Sequence, residues 1–187
     1  YIKPSGRVFD DKYILFFGQM APHKGLEILL QAMVEVHKRI PNLKLIVAGN
    51  GKLDFDFEPY RGLGYIIGKF RYIGIQEEVN LFKGAEILVC PYKEATQSGV
   101  VQTSFSLGLP VIGPNVGALP GIIEDYVTGK IVPPYDYLSL ANAIVEIINN
   151  HDVLQEMKKN IELKRNAQKS WKSIVNDYVD IYKRCQS

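Results

Sequence analysis

The 187-residue chain is 47% hydrophobic, enough for one substantial core and cramped for two, and its 22 basic and 20 acidic residues leave a net charge of +2. That balance excludes a nucleic-acid footprint or an acidic tail spread over the whole chain, so any anionic ligand must be read locally. Cys90, in an apolar run, and the distant Cys185 fit reduced thiols and a cytoplasmic placement, not a disulfide framework.

No apolar run approaches the roughly 18 residues that span a bilayer, and the start has no signal-peptide pattern. Tyr1 stands where an initiator Met would, so a piece of a longer chain is expected. Residues 1–12 carry Pro, Ser and two adjacent Asp with little periodicity, which suits a linker. Tyr13-Ile14-Leu15-Phe16-Phe17 reads as a strand buried on both faces and ending at Gly18. From about Gly25 a helix is expected, with Leu26, Leu29, Leu30, Met33 and Val36 on one face, and Pro41-Asn42 ends it. Residues 43–48 give a second strand, closed by Gly49-Asn50-Gly51. The opening is therefore β-loop-α-β, as in a doubly wound parallel sheet.

Residues 52–65 show neither period and read as irregular. Tyr72-Ile73-Gly74 reads as a short strand end, and residues 77–84 as a short helix. Residues 87–90 form an apolar strand stopped by Pro91; a polar loop, a helix opening at Ser98-Gly99 and a strand at Val111-Ile112 complete a βαβ unit. Residues 113–121 read as a turn-rich loop, and residues 128–132 as a last strand. Helices are expected over 138–148 and 153–167, and a final one from Ser170-Trp171 through Ile174, Val175, Tyr178 and Tyr182. The fold class is α/β, a Rossmann-like doubly wound parallel sheet with helices on both faces.

Three loops at the expected carboxyl edge of this sheet have chemistry to offer. Gly18 permits a sharp turn, and Lys24 precedes a helix, so its ammonium and the helix amides would meet a phosphate or diphosphate together. An ordinary solvated lysine explains that loop equally well, and His23 reads as a surface histidine. The spacing fits neither a P-loop nor GxGxxG. Gly49-Asn50-Gly51 would let a ligand approach the backbone, or is simply a turn. In the third loop Glu94 would accept hydrogen bonds from ligand hydroxyls, Thr96 and Gln97 have donors, Ser98 is a natural N-cap, and Gly99 and Val100 would present amides. A plain capped helix behind an exposed Glu fits that segment as well.

Taken together, in order and spacing, Lys24-Gly25, Ala48-Gly49-Asn50-Gly51, residues 85–91, Glu94, Gly108-Leu109-Pro110-Val111-Ile112, Gly117 and Thr128-Gly129 resemble the C-terminal, donor-binding domain of GT-B glycosyltransferases of family GT4. The resemblance runs from about Tyr13 to the C-terminus. It implies residues 1–12 as a linker, 13–170 as a Rossmann-like nucleotide-sugar-binding domain, and 171–187 as a helix packing toward an N-terminal acceptor-binding domain. It further implies retaining transfer of a sugar from a UDP- or GDP-sugar to a glycan or lipid-linked acceptor. No resident cofactor, no required metal and no nucleic-acid partner go with that reading. Peripheral association with the inner face of the cytoplasmic membrane is a further expectation; the basic residues from Lys158 to Lys172, interleaved with Glu156 and Glu162, read instead as a solvated helix face.

Position by position, the resemblance gives Glu94 the catalytic place facing the donor sugar. Gly18, Gln19, Lys24, Gln97, Ser98, Gly99 and Val100 would hold the diphosphate and sugar; Gly49, Tyr72, Gly74, Ile75 and Gln102 would hold the ribose and base. Two positions depart from the family pattern. The second acid of its E-x7-E motif is Gln102, a neutral amide that both donates and accepts. The arginine usual after Gly18 is Gln19, which removes one positive charge. Another GT-B enzyme, of the sugar-nucleotide epimerase or starch-synthase type, and a non-catalytic nucleotide-binding module are the alternative readings.

Overall fold

An unbroken apolar run such as Tyr13–Phe17 is stable as a strand only if both of its faces are covered, and the structure covers both. Ile14 and Phe16 point into one core and Tyr13 and Leu15 into another, as the two-residue period of a strand requires. The computed structural model describes residues 11–167.

Strands β1 (Tyr13–Phe17), β2 (Lys44–Gly49), β3 (Ile66–Phe70), β4 (Leu88–Val89), β5 (Val111–Pro114) and β6 (Gly129–Val132) form one sheet in the order β3-β2-β1-β4-β5-β6. All five pairings are parallel. Helices α1 (Leu26–Arg39) and α6 (Tyr137–Asn149) bury Leu29, Leu30, Met33, Leu140, Ile144 and Ile147 on one face of the sheet. Helices α3 (Ile75–Gly84) and α4 (Gly99–Ser106) bury Leu81, Phe82 and Val101 on the other. Short helices α2 (Glu58–Arg61) and α5 (Leu119–Ile122) lie in connections. The last described helix, α7 (His151–Ala167), buries Leu154, Met157 and Ile161 and touches both α6 and α4.

In this order the chain proceeds outward from β1 to β3, then crosses back to β4 on the other side of β1. The reversal between β1 and β4 is a topological switch point, where the loops that follow the two strands part and leave a crevice at the carboxyl edge.

The structure revises three expectations. The third strand is Ile66–Phe70, and Tyr72-Ile73-Gly74 lies beyond its end. An edge strand has one neighbour and is only partly covered, so Gly68 and Lys69 stand where an apolar run would show in a central strand. Gly68 makes room for the Phe70 ring, since a Cβ there would sit 2.5 Å from its Cε2. The irregular 52–65 stretch contains α2, anchored by Phe57, whose ring meets Phe70 edge-on at 4.7 Å. The turn-rich 113–121 loop contains the start of α5, with Pro120 in its first turn, a position proline tolerates. The terminal helix expected after Ser170, and most of the 1–12 linker, lie outside the described residues.

Candidate functional site

The crevice at the switch point is built by two loops that clasp one another. The first, residues 18–25, turns at Gly18 (φ 126°), whose amide donates to the Ala48 carbonyl at 3.0 Å, and passes through a 3-10 turn at Pro22–Lys24. It enters α1 through Gly25, at φ 64°, where a Cβ would collide with the Pro91 carbonyl oxygen. The second loop grips it residue by residue. The Lys93 amide donates to the His23 carbonyl at 2.8 Å, and the Lys93 ammonium pairs with Glu27 in the first turn of α1.

Between these contacts sits Tyr92, 1% exposed. The Lys24 ammonium lies 3.8 Å from the centre of its ring, a cation–π distance. Burial lowers the Lys24 pKa from its ordinary value and raises that of the Tyr92 phenol. The phenolic oxygen lies 3.5 Å from Ser98 Oγ. Ser98 is the N-cap of α4 and accepts from the Val101 amide at 3.3 Å, while its carbonyl takes the Gln102 amide at 3.2 Å. The amides of Gly99 and Val100 have no intrahelical acceptor by position. Val100 also faces the first loop: a Cβ on Gly18 would stand 3.4 Å from its Cγ2. Lys24, the α4 N-terminus and the turn at Gly18 therefore share one edge of the crevice. Lys24 has no ion-pair partner among the described residues.

A third loop closes the arrangement. The Ala118 amide donates to the Ala95 carbonyl at 3.0 Å, and Gly117, at φ 51°, lets that carbonyl approach where a Cβ would collide. Glu94, Gln97 and Gln19 are exposed around this frame. Behind it, Cys90 is fully buried, and desolvation pushes its thiol up to about 12. A thiol held that far from ionisation is a packing residue, not a nucleophile.

The remaining expected site residues lie at three places. Gly49 (φ 143°) ends β2 and is packed against the Gly18 carbonyl oxygen, so its lack of a side chain is used by the fold itself. Tyr72 and Ile75, 75% and 77% exposed, and Gly74, which caps α3, follow β3 at the sheet edge. By the strand order they stand two interstrand spacings, about 10 Å, from β1. Their loop is pinned by Glu77, which pairs with Lys69 at 3.0 Å and Arg71 at 2.8 Å; the hydrogen bond from Lys69 holds its carboxyl below the usual range. Gln102 is one of the residues lining a cavity of about 180 Å³ between α4 and α7, with Phe105, Glu124, Ile161, Lys164 and Arg165. Across that cavity Lys164 pairs with Glu124 at 2.7 Å and Arg165 donates to the Ser106 carbonyl at 3.1 Å.

The sequence reading passed over Tyr92 and the Lys93–Glu27 pair. The available signal was a large aromatic with a polar tip directly after a buried strand, flanked by a proline and a lysine. Among the described residues no three His, Cys, Asp or Glu side chains are grouped to hold a metal ion, and no helix is long and apolar enough to cross a membrane.

A parallel sheet in the order 3-2-1-4-5-6, with its loops gathered at the β1/β4 switch point, defines a Rossmann-like α/β domain whose ligand crevice lies at that edge. More narrowly, residues 11–150 match the model of the glycosyl transferases group 1 family, and the chain belongs to that family, with the fold of its C-terminal GT-B domain. An uncharacterized glycosyltransferase of Methanocaldococcus jannaschii is 29% identical over 181 residues, which take in 93% of this chain and 45% of the relative. The chain spans less than half the length of the first curated relatives it matches. Among solved structures, the C-terminal domain of a glycosyl transferase group 1 family protein from Francisella tularensis superposes with a TM-score of 0.71 at 21% identity, over 80% of this chain and 82% of that one. Anabaena HepE in complex with UDP gives 0.73 at 18% identity, over 93% and 49%.

Proposed function

We propose that this chain is the donor-binding half of a retaining glycosyltransferase that uses a nucleotide-sugar, with Lys24 and the first amides of α4 as the diphosphate site. The observation that carries the reading is Lys24 itself. Its ammonium is half-buried at the switch point, rests on an aromatic face and lacks an acidic partner among the described residues. A cation kept partly out of water without a counter-charge is poised for an anion that arrives with the ligand.

Transfer breaks the bond between the donor's anomeric carbon and the diphosphate oxygen and forms one from that carbon to the acceptor oxygen, whose hydroxyl proton is released with the nucleoside diphosphate. Negative charge then grows on the departing diphosphate. Lys24 and the Gly99 and Val100 amides are placed to stabilise that charge as it develops. Glu94, exposed beside them, faces the sugar hydroxyls, with Gln97 as a further donor. With the phosphates at the switch point, the nucleoside extends past Gly18 and Gly49 toward Tyr72, Gly74 and Ile75, a span of about 10 Å that suits it. Gln102 sits farther along α4 and contributes a neutral amide at most. The family membership, and the UDP complex of a protein with the same fold, support this reading. An acceptor-binding domain N-terminal to residues 13–170 would complete the catalytic cleft, and residues 171–187 would pack toward it.

Calorimetric titration of the chain with UDP, GDP, ADP and their sugar conjugates tests the proposal. Binding of at least one nucleoside diphosphate, with its nucleoside alone much weaker, is expected. Failure to bind any of them removes the donor reading.

A further inference from the structure

We propose that Tyr92 is a positioning residue of the diphosphate site, its buried ring holding the Lys24 ammonium in the crevice while its hydroxyl links that ring to Ser98 at the start of α4. The inference rests on the donor reading for its purpose, but the contact itself does not.

Lysine is a poor candidate for a fixed cation: its side chain is long, flexible and strongly hydrated, and partial burial favours its neutral form. The face of an aromatic ring offsets both problems, because its negative quadrupole attracts the ammonium and its flat surface packs the aliphatic stem. At 3.8 Å from the ring centre, Lys24 Nζ lies within that attraction. The ring is fixed in turn. Residues 91–93 each engage the first loop, Pro91 through the close approach of its carbonyl to Gly25, Tyr92 through Lys24, and Lys93 through the His23 carbonyl and Glu27. Tyr92 is thus held from both neighbours and is nearly sealed from solvent.

The hydroxyl supplies the second half. A buried phenol needs partners for its polar tip, and Tyr92 has two: the Cys90 thiol behind it and Ser98 Oγ at 3.5 Å, the long limit of a hydrogen bond. Ser98 uses that same oxygen to cap α4 through the Val101 amide. One side chain therefore touches both anion-binding elements, the lysine and the helix N-terminus. If Tyr92 only filled space, a leucine or methionine would serve equally well and Lys24 would be unaffected.

The test uses the chain labelled with 13C-lysine, with the Lys24 Cε resonance assigned by its disappearance in Lys24→Ala. A ring-current upfield shift is expected in the free protein, retained in Tyr92→Phe and lost in Tyr92→Leu and in the unbranched Tyr92→Met, which guards against one variant failing to fold. In parallel, the affinity for whichever of UDP, GDP or ADP binds should fall about 5-fold in Tyr92→Leu and Tyr92→Met, the size of one cation–π contact, with the matching nucleoside unchanged. Tyr92→Phe should restore the share that the ring supplies and keep a smaller loss from the missing link to Ser98, and complete recovery would remove the hydroxyl from the role. A Lys24 resonance indifferent to the ring, or nucleoside and diphosphate affinities that fall together, overturns the positioning role. A ring-dependent Lys24 shift in a protein that binds none of the three diphosphates leaves the contact standing and removes the donor reading instead.

Discussion

Helix α4 separates two concave regions that treat positive charge in opposite ways. On the side facing α7, a cavity of about 180 Å³ is rimmed by Lys164 and Arg165, and both are occupied: Lys164 by Glu124 at 2.7 Å, Arg165 by the Ser106 carbonyl at 3.1 Å. On the other side, at the switch point, Lys24 has an aromatic floor and no anionic partner among the described residues. The hollow beside α7 is where cations fasten that helix to the sheet domain. The switch-point crevice is where a cation has been left available. Charge balance and topology choose the crevice.

The largest expected effect comes from breaking the clasp that makes the crevice. Gly25→Ala must force a side chain into the Pro91 carbonyl at a positive φ, and should cost about 2–4 kcal/mol. Gly121→Ala, at a glycine with open space around its Cβ position, should change stability by no more than about 0.5 kcal/mol. Thermal unfolding of the two variants checks this, and equal melting temperatures would mean that the two loops are not locked together.

Next in size is the contrast between the two lysines. Lys24→Ala should weaken nucleoside diphosphate binding by about 1.5–3 kcal/mol, the worth of a charge-assisted contact, and leave the nucleoside almost unaffected. Lys164→Ala should leave both affinities alone and lower stability by about 1 kcal/mol or less, since its ion pair with Glu124 is exposed. Calorimetry on both variants separates the regions directly.

The smallest effect is a pH dependence. Only protonated Lys24 attracts a diphosphate, and burial lowers its pKa, so affinity should decline as pH rises through that lowered value, below the range of a free lysine. For folding the sign is opposite. The folded state releases this proton before the unfolded state does, so Lys24's contribution to stability improves as pH rises from the lowered pKa toward the ordinary value. Lys24→Met should accordingly abolish the pH-dependent loss of diphosphate affinity above neutrality without destabilising the fold.

How much of this was legible in the sequence differs by region, for physical reasons. The central strands were plain because burial on both faces writes an unbroken apolar run, as in Tyr13–Phe17 and Leu88–Val89 with their neighbours. Helices α1 and α6 were plain because one apolar stripe faces one sheet. The edge strand Ile66–Phe70 was not, since a partly covered edge tolerates Gly68 and Lys69. In the candidate site, the N-cap at Ser98 and the placement of Lys24 before α1 follow from local rules. Tyr92 does so only in part: an aromatic directly after a buried strand is a local signal, but its contact with Lys24 across 68 residues of chain is not written in it. Gln102 goes with Glu94 through the resemblance alone, and in the structure it is an exposed residue of α4 that also lines the cavity beside α7.

The most direct test is amide chemical-shift mapping of the chain with a nucleoside diphosphate. The largest perturbations should fall on residues 18–25 and on Gly99 and Val100, with smaller ones at residues 72–75. Perturbations centred on Gln102, Phe105 and Arg165, with the crevice silent, would contradict a donor site at the switch point.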